Sequence, residues 1–214
     1  MRWNGSVWMA AALLTVSGAA WAQEARKEAP AALAIGSTVP KADVKMASAD
    51  GRNLSIADVR GTKGTMVVFT CNHCPWAKAW ASRVVELGNA YAKRGVGVIV
   101  INSNDPEAYP EDAFAVMQER SKELKMSVPY VVDATSDLAR AFGASRTPEA
   151  FLFDRKGKLV YHGAIDDNAK EPEKVKARWL RDALDATTRG KAVAVQETKA
   201  LGCGIKYRAH STSS

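Results

Sequence analysis

Two apolar runs constrain this chain more than any other feature. Gly64 to Thr70, GTMVVFT, and Val96 to Asn102, VGVIVIN, carry no charge and are rich in β-branched residues. A half-exposed strand alternates apolar and polar residues, whereas an unbroken apolar run marks a strand covered on both faces. Between the runs, Trp76 to Lys93 repeats apolar residues at Trp76, Trp80, Val84, Leu87 and Tyr91, which is helical spacing, and Gly95 ends it. Strand, helix and strand then form a β-α-β unit whose two strands run parallel inside a larger sheet.

The remaining pattern extends that sheet. Ala42 to Val59 reads as two short strands joined at Asp50-Gly51, followed by a helical turn from Ser55. Glu111 to Leu124 predicts a helix, Val128 to Asp133 a strand, and Ser136 to Phe142 a short helix. EAFLFD and KLVYHG flank Arg155-Lys156-Gly157 as an antiparallel hairpin. A closing helix is expected from Glu171-Pro172, with Val175, Trp179, Ala183 and Ala186 on one face, and Ala192 to Glu197 reads as a last short strand. At 214 residues, 47% of them hydrophobic, the chain fits one domain with extensions.

The N-terminus predicts an address. Arg2 is a short positive start, VWMAAALLTV (Val7 to Val16) is an apolar run, and Ala20-Trp21-Ala22 supplies small residues before a cut. That is a secretory signal peptide over residues 1–22. The run is short for a membrane span, which needs roughly 20 residues, and Ser17-Gly18 interrupts it, so no stable membrane insertion is expected. Residues 23–34 read as a flexible leader, 35–190 as the folded domain, and 191–214 as an extension carrying Cys203. A periplasmic location follows. The 30 basic and 23 acidic residues are dispersed, without the patch or aromatic platform that nucleic-acid binding needs.

Chemistry concentrates at Cys71-Asn72-His73-Cys74-Pro75, between the first buried strand and its helix. Unpaired backbone amides and the positive end of the helix dipole gather there and favour a thiolate. The C-x-x-C arrangement is expected to lower the pKa of the first cysteine, Cys71, from about 8.5 into the range of about 3.5 to 7.5. So short a loop suits reversible exchange better than stapling, because closing it removes little entropy from the unfolded chain. The His73 ring is placed to donate to the Cys71 sulfur, which would favour the reduced pair and make the disulfide an oxidant. Lys78 and Arg83 add positive charge nearby. Trp76 and Trp80 read as core at helical spacing with Val84, with Trp76 also a candidate for the docking surface.

A metal site is the rival reading. Cys71, His73 and Cys74, with Cys203, His162 or His210 completing the shell, are a donor set suited to Cu(I) or Zn(II). Adjacent side chains diverge on a helix, however, and one C-x-x-C supplies only two ligands, so no metal or cofactor is expected. Far along the chain, Thr147-Pro148 opens a strand; by its residues alone this bond is trans, since cis forms are about 5–6% of such bonds.

Taken together, FTCNHCP between strand and helix, Thr147-Pro148 before a later strand, the hairpin and the closing helix resemble the thioredoxin-like superfamily. GTMVVF and the longer N-terminal strands are most similar to its redoxin branch, the alkyl hydroperoxide reductase and thiol-specific antioxidant type. Trp179 to Tyr207 also resembles the C-terminal signature of an exported thiol-disulfide isomerase-like group. The resemblance implies a three-layer α/β/α sandwich around a mixed sheet with an N-terminal strand extension. It also implies a thiol-disulfide oxidoreductase acting on protein thiols or disulfides, served by a redox partner protein. Cys71 would be the exposed nucleophile, Cys74 the buried resolving thiol, and Pro148 a cis-proline that docks substrate together with Thr147 and Trp76.

Two departures narrow the activity. Peroxidases of the branch carry Pro-x-x-x-Thr/Ser-x-x-Cys, and here Gly64 and Val68 stand at the first two positions, so a thiol peroxidase is the lesser alternative. Thioredoxins place a buried acid six residues before the first cysteine, and here that residue is Thr65, so proton transfer needs another group. Cys203 has flexible neighbours in Gly202 and Gly204, so the tail is a candidate to fold back and offer Cys71 a possible third thiol, in an alternative disulfide that stores or relays oxidising equivalents.

Overall fold

The two apolar runs are neighbouring strands. In a computed structural model describing residues 31–209 and Met1, β3 (Gly64–Thr70) pairs in parallel with β4 (Val96–Asn102) along its whole length. Residues 2–30 and 210–214, which hold most of the expected signal peptide and leader and also His210, lie outside the described residues. The five-stranded sheet has the order β5-β4-β3-β7-β8, with β5 (Tyr130–Val132) parallel to β4. On the other side β7 (Glu149–Asp154) and β8 (Leu159–Gly163) form the antiparallel hairpin.

Each apolar run is buried on both faces, as its lack of alternation requires. Met66 and Val68 point to a layer built from Trp80, Val84 and Leu87 of α1 (Pro75–Ala92), Met117 of α2 (Phe114–Glu123), and Leu180 and Leu184 of α4 (Trp179–Thr188). Val67 and Phe69 point the other way, onto Leu138, Ala139 and Phe142 of α3 (Asp137–Phe142). There Phe69, Phe142 and Phe151 meet edge to face, with centroids 5.2 to 5.8 Å apart. Each such side chain stabilises the fold by about 1.5–3 kcal/mol through burial, and each aromatic pair adds about 0.5–1.5 kcal/mol. The result is the expected three-layer α/β/α sandwich around a mixed sheet. The short hairpin β1 (Met46–Ala47) and β2 (Asn53–Leu54) precedes it, turning at Asp50-Gly51.

Three elements differ from expectation. The helix expected from Glu111 begins as a 3-10 turn, Pro110–Asp112, and α2 starts only at Phe114, because the Asp112 side chain turns inward and is fully buried. The closing helix begins at Trp179 rather than Glu171. A 3-10 turn covers Pro172–Lys174, and the next residues are held off helical geometry by Asp167, which accepts from the Lys176 amide and donates its own amide to the Ala177 carbonyl. The strand expected at 192–197 reduces to an isolated bridge between His162 and Glu197. The tail instead supplies β9 (Cys203–Gly204), which pairs antiparallel with β6 (Arg146–Thr147).

Backbone packs directly on backbone where β4 begins. A Cβ on Gly97 would stand 1.8 Å from the Val59 carbonyl oxygen, and one on Gly61 would stand 2.0 Å from the Gly97 nitrogen. Neither neighbour is a flexible side chain that can move aside. Gly97→Ala is therefore expected to lower stability by about 3 kcal/mol, the upper end of an overpacking cost, read as a lower urea midpoint with unchanged slope.

Candidate active site

β3 ends at Thr70 and α1 begins at Pro75, so the four residues between them turn at the carboxyl end of the sheet's central strand. Cys74 occupies the helix N-cap, and Pro75 fills a first-turn position where no amide donor is needed. Both cysteines are thiols. Cys71 is 5% exposed and Cys74 0%. The expected exposed nucleophile is therefore covered, because the β6 loop and the tail strand close over it, although Cys71 remains the more accessible of the pair.

Thr147 bridges the two sulfurs. Its hydroxyl lies 3.1 Å from Cys71 Sγ, and its carbonyl accepts from the Cys74 thiol at 3.5 Å. The bond that follows, Thr147-Pro148, is cis. Buried Glu149 fixes the start of this loop, accepting from the amides of Ser145 and Arg146 at 2.8 and 3.0 Å. Burial raises the Glu149 carboxyl above its ordinary range.

His73 does not meet the sulfur as expected. Its Nδ1 donates to Asp112 Oδ2 at 2.6 Å, and its ring stacks on Tyr109 with centroids 4.2 Å apart. A fully buried carboxylate outcompetes a neutral thiol for that proton. Asp112 also accepts from the Asn72 amide at 2.6 Å, Asn102 Nδ2 at 3.1 Å and Asn104 Nδ2 at 2.9 Å. Cys71 Sγ, a His73 ring nitrogen and an Asp112 oxygen all lie within 4.8 Å of one another. This group could be read as a metal shell, but both carboxylate oxygens are already filled with two donors each. His162 is elsewhere, on β8, with Nε2 on Glu197 and its ring against Phe151, and His210 lies outside the described residues.

The two thiols share their protonation. Cys74 is pulled down to about 4, first by the hydrogen bond from Cys71, while burial opposes the shift and Cys203 and the Ala77 amide assist it. Cys71, the thiol expected to be lowered, is instead pushed up by the same hydrogen bond and by burial, with Asp112 adding to the effect, so the depressed thiol of the pair is Cys74. The pair thus gives up its first proton easily and keeps the second, and that second proton belongs to both sulfurs.

Trp76 and Trp80 separate. Trp76 is 40% exposed at the rim and stacks on Trp80, which is buried and donates Nε1–H to Asp166 at 2.7 Å. Arg83 serves the same structural cluster, bonding Asp166 and the carbonyls of Asn168 and Ala169 rather than the thiols. Lys78 is exposed. Cys203 is half-buried and packs against Cys71, Cys74 and Ala77. Sequence reasoning missed Asp112, Asn72, Asn102, Asn104 and Tyr109; the available signal was the polar cluster Asn102-Ser103-Asn104 directly after a buried strand, where sheets of this kind build their sites.

Comparison with known proteins agrees with this geometry. A hypothetical protein from Sinorhizobium meliloti is 33% identical with a TM-score of 0.77, covering 84% of this chain and 97% of that one. An uncharacterized conserved protein from Geobacillus kaustophilus is 34% identical with a TM-score of 0.76, covering 83% and 94%. The thiol-disulfide oxidoreductase ResA of Geobacillus thermodenitrificans is 28% identical over 128 residues, 60% of this chain and 68% of that protein. An oxidised thioredoxin-like protein, 19% identical with a TM-score of 0.61 over 74% of this chain, shares the fold. The AhpC/TSA family matches residues 35–162, from the segment before β1 through the site to β8, and the chain belongs to that family, on the redoxin branch of the thioredoxin-like proteins.

Proposed function

We propose that this thiol-disulfide oxidoreductase is exported and exchanges disulfides with protein substrates through Cys71 and Cys74. The observation that carries this reading is the contact of Thr147, by hydroxyl and carbonyl, with both reduced sulfurs at the carboxyl end of β3. A pair so placed shares a loop that can hold a substrate chain and a proton that can move between the sulfurs.

In the reducing direction, Cys71 passes its proton to Cys74 and attacks one sulfur of a substrate disulfide. The far sulfur leaves as a thiolate, and a mixed disulfide with Cys71 remains. Cys74, its proton given to the first leaving thiolate, attacks Cys71 Sγ; the Cys71–Cys74 bond forms, the mixed disulfide breaks, and the second substrate sulfur leaves as a thiolate that takes its proton from solvent. The same steps reversed make the pair an oxidant, and a partner protein resets it. Asp112 and His73 act beside this centre. The Asp112 charge faces Cys71 and opposes a second thiolate, which keeps one proton available for transfer, and His73 holds that carboxylate in place. Trp76, in the first turn of α1 after the thiol pair, offers exposed apolar surface for the substrate chain.

Peroxide reduction is less well supported. At the positions where that chemistry uses proline and a hydroxyl, Gly64 lies within β3 and Val68 is buried in the helix-facing core. Export rests on the sequence of residues 1–22, and among the described residues no helix is long and apolar enough to cross a membrane.

Titration of residues 23–214 in graded glutathione buffers, read by thiol alkylation, is expected to show a two-electron transition involving Cys71 and Cys74. A midpoint near about −120 mV assigns an oxidant and one near about −270 mV a reductant. Failure of the pair to titrate sinks the exchange mechanism. Cys74→Ser is expected to accumulate mixed disulfides on Cys71 in exported-protein extracts, while Cys71→Ser accumulates far fewer.

The ionisation of the pair also predicts a pH effect on folding. Cys74 titrates near about 4 in the folded protein and near about 8.5 in the unfolded chain, so the folded state holds fewer protons between these values. Stability of the reduced protein, measured against the oxidised protein by urea melts, should therefore rise as pH increases through this window. Above about 8.5 the raised value of Cys71 reverses the slope, because the unfolded thiol ionises first. A pH-independent difference would refute the shared proton.

A further inference from the structure

The tail is fastened along the rim of the thiol pair. Pairing of β9 with β6 sets Cys203 directly opposite Thr147, the residue that touches both sulfurs. Beyond it, the Ile205 amide donates to the Ser145 carbonyl, the Lys206 amide to Asn104 Oδ1 at 2.8 Å, and the Tyr207 hydroxyl to the Ala144 carbonyl. Gly202 is present for closeness: a Cβ there would stand 2.1 Å from the Thr147 carbonyl oxygen. Cys203 therefore enters the cluster on a backbone held at several points, and its thiol and amide both face the Cys74 sulfur. The register sets this thiol against both sulfurs of the pair, and of the two it hydrogen-bonds the Cys74 sulfur.

We propose that Cys203 is a third redox thiol of this centre, which attacks the Cys74 sulfur of the Cys71–Cys74 disulfide, forms a Cys74–Cys203 bond and releases Cys71 as a thiolate. The inference rests on the exchange function proposed above and extends it. No electrons leave the protein in this step: one S–S bond breaks as another forms, and the Cys203 proton passes to solvent or to Cys71. The freed Cys71 is the more accessible sulfur of the original pair. An oxidised centre thereby regains a nucleophile, which suits it to rearranging substrate disulfides as well as to net transfer.

The surroundings of Cys203 switch with the state of the pair. In the reduced protein its thiol is held up to about 11, first by burial and then by the Cys74 sulfur, while Lys206 and Arg146 pull the other way. Once Cys74 is tied in a disulfide, its charge is gone and the two cations act against burial alone. Cys203 is thus activated when there is a disulfide for it to attack. A thiol held on a strand beside its target also reacts at a high effective concentration.

The test follows the third thiol by mass spectrometry after oxidation with glutathione disulfide and alkylation. In Cys71→Ser, Cys74 and Cys203 are expected to become linked to each other, with loss of alkylation at both. In Cys74→Ser, Cys203 is expected to stay alkylatable. In the oxidised unmutated protein, label should appear on Cys71 as well as on Cys203. Glutathione on Cys74 with Cys203 still free in Cys71→Ser, or label confined to Cys203 in the unmutated protein, overturns the proposal. Gly202→Ala in the Cys71→Ser background is expected to slow the crosslink by lifting the strand; an undiminished rate would show that the register does not place the thiol. In Cys203→Ser, titration of the Cys71–Cys74 couple isolates the parent function, so a couple that titrates while the crosslink fails removes only this inference.

Discussion

A single buried carboxylate organises the site. Asp112 is fully buried, and a charge taken out of water so completely persists only where hydrogen bonds replace its hydration. Four donors do so, and each comes from a segment whose position matters: the Asn72 amide at the turn between the cysteines, Asn102 and Asn104 at and just beyond the end of β4, and His73 between the two thiols. The carboxylate thus ties the thiol turn to the neighbouring strand. Through Asn104, whose side-chain oxygen receives the Lys206 amide, the same network reaches the tail. Loss of the charge would leave several buried donors unpaired at once, each at a cost of about 1–3 kcal/mol.

This dependence also explains His73. Sequence placed the ring between two cysteines and so gave it to the sulfur, but a ring nitrogen bonds the strongest acceptor within reach. An ionised, buried carboxylate is a stronger acceptor than a thiol. The ring bonds Asp112, and it is the Asp112 charge that raises the Cys71 thiol. Thr65 supplies no acid, and the buried carboxylate whose charge bears on Cys71 is Asp112 instead.

The sheet was legible because its signal is local and one-dimensional. GTMVVFT and VGVIVIN each announce burial on both faces, the helix between them repeats at helical spacing, and the hairpin at Arg155-Lys156-Gly157 is contiguous in the chain. The C-x-x-C and Thr147-Pro148 were legible as motifs, although only family likeness pointed to the cis bond. What failed depends on contacts between distant residues. Asp112 belongs to the thiol site because a 3-10 turn rolls it inward, and Asp167 delays α4 because its backbone and side chain bond residues nine and ten places later. The glycines around Cys203 looked like flexibility, and at Gly202 the cause is the opposite, a close approach of two backbones. No periodicity records a contact of that kind.

The length of β9 bears on how the centre works. Its ladder with β6 spans only two residues on each side, Thr147 with Cys203 and Arg146 with Gly204. So short a pairing lies at the weak end of the range of local stabilities, where opening costs far less than global unfolding. The bonds from Ile205 to Tyr207 anchor the tail beyond it. β9 lies along β6 and packs against both sulfurs, so one short strand both buries the pair and holds the third thiol to it, with the backbone bonds beyond it doing what the two-residue ladder alone could not.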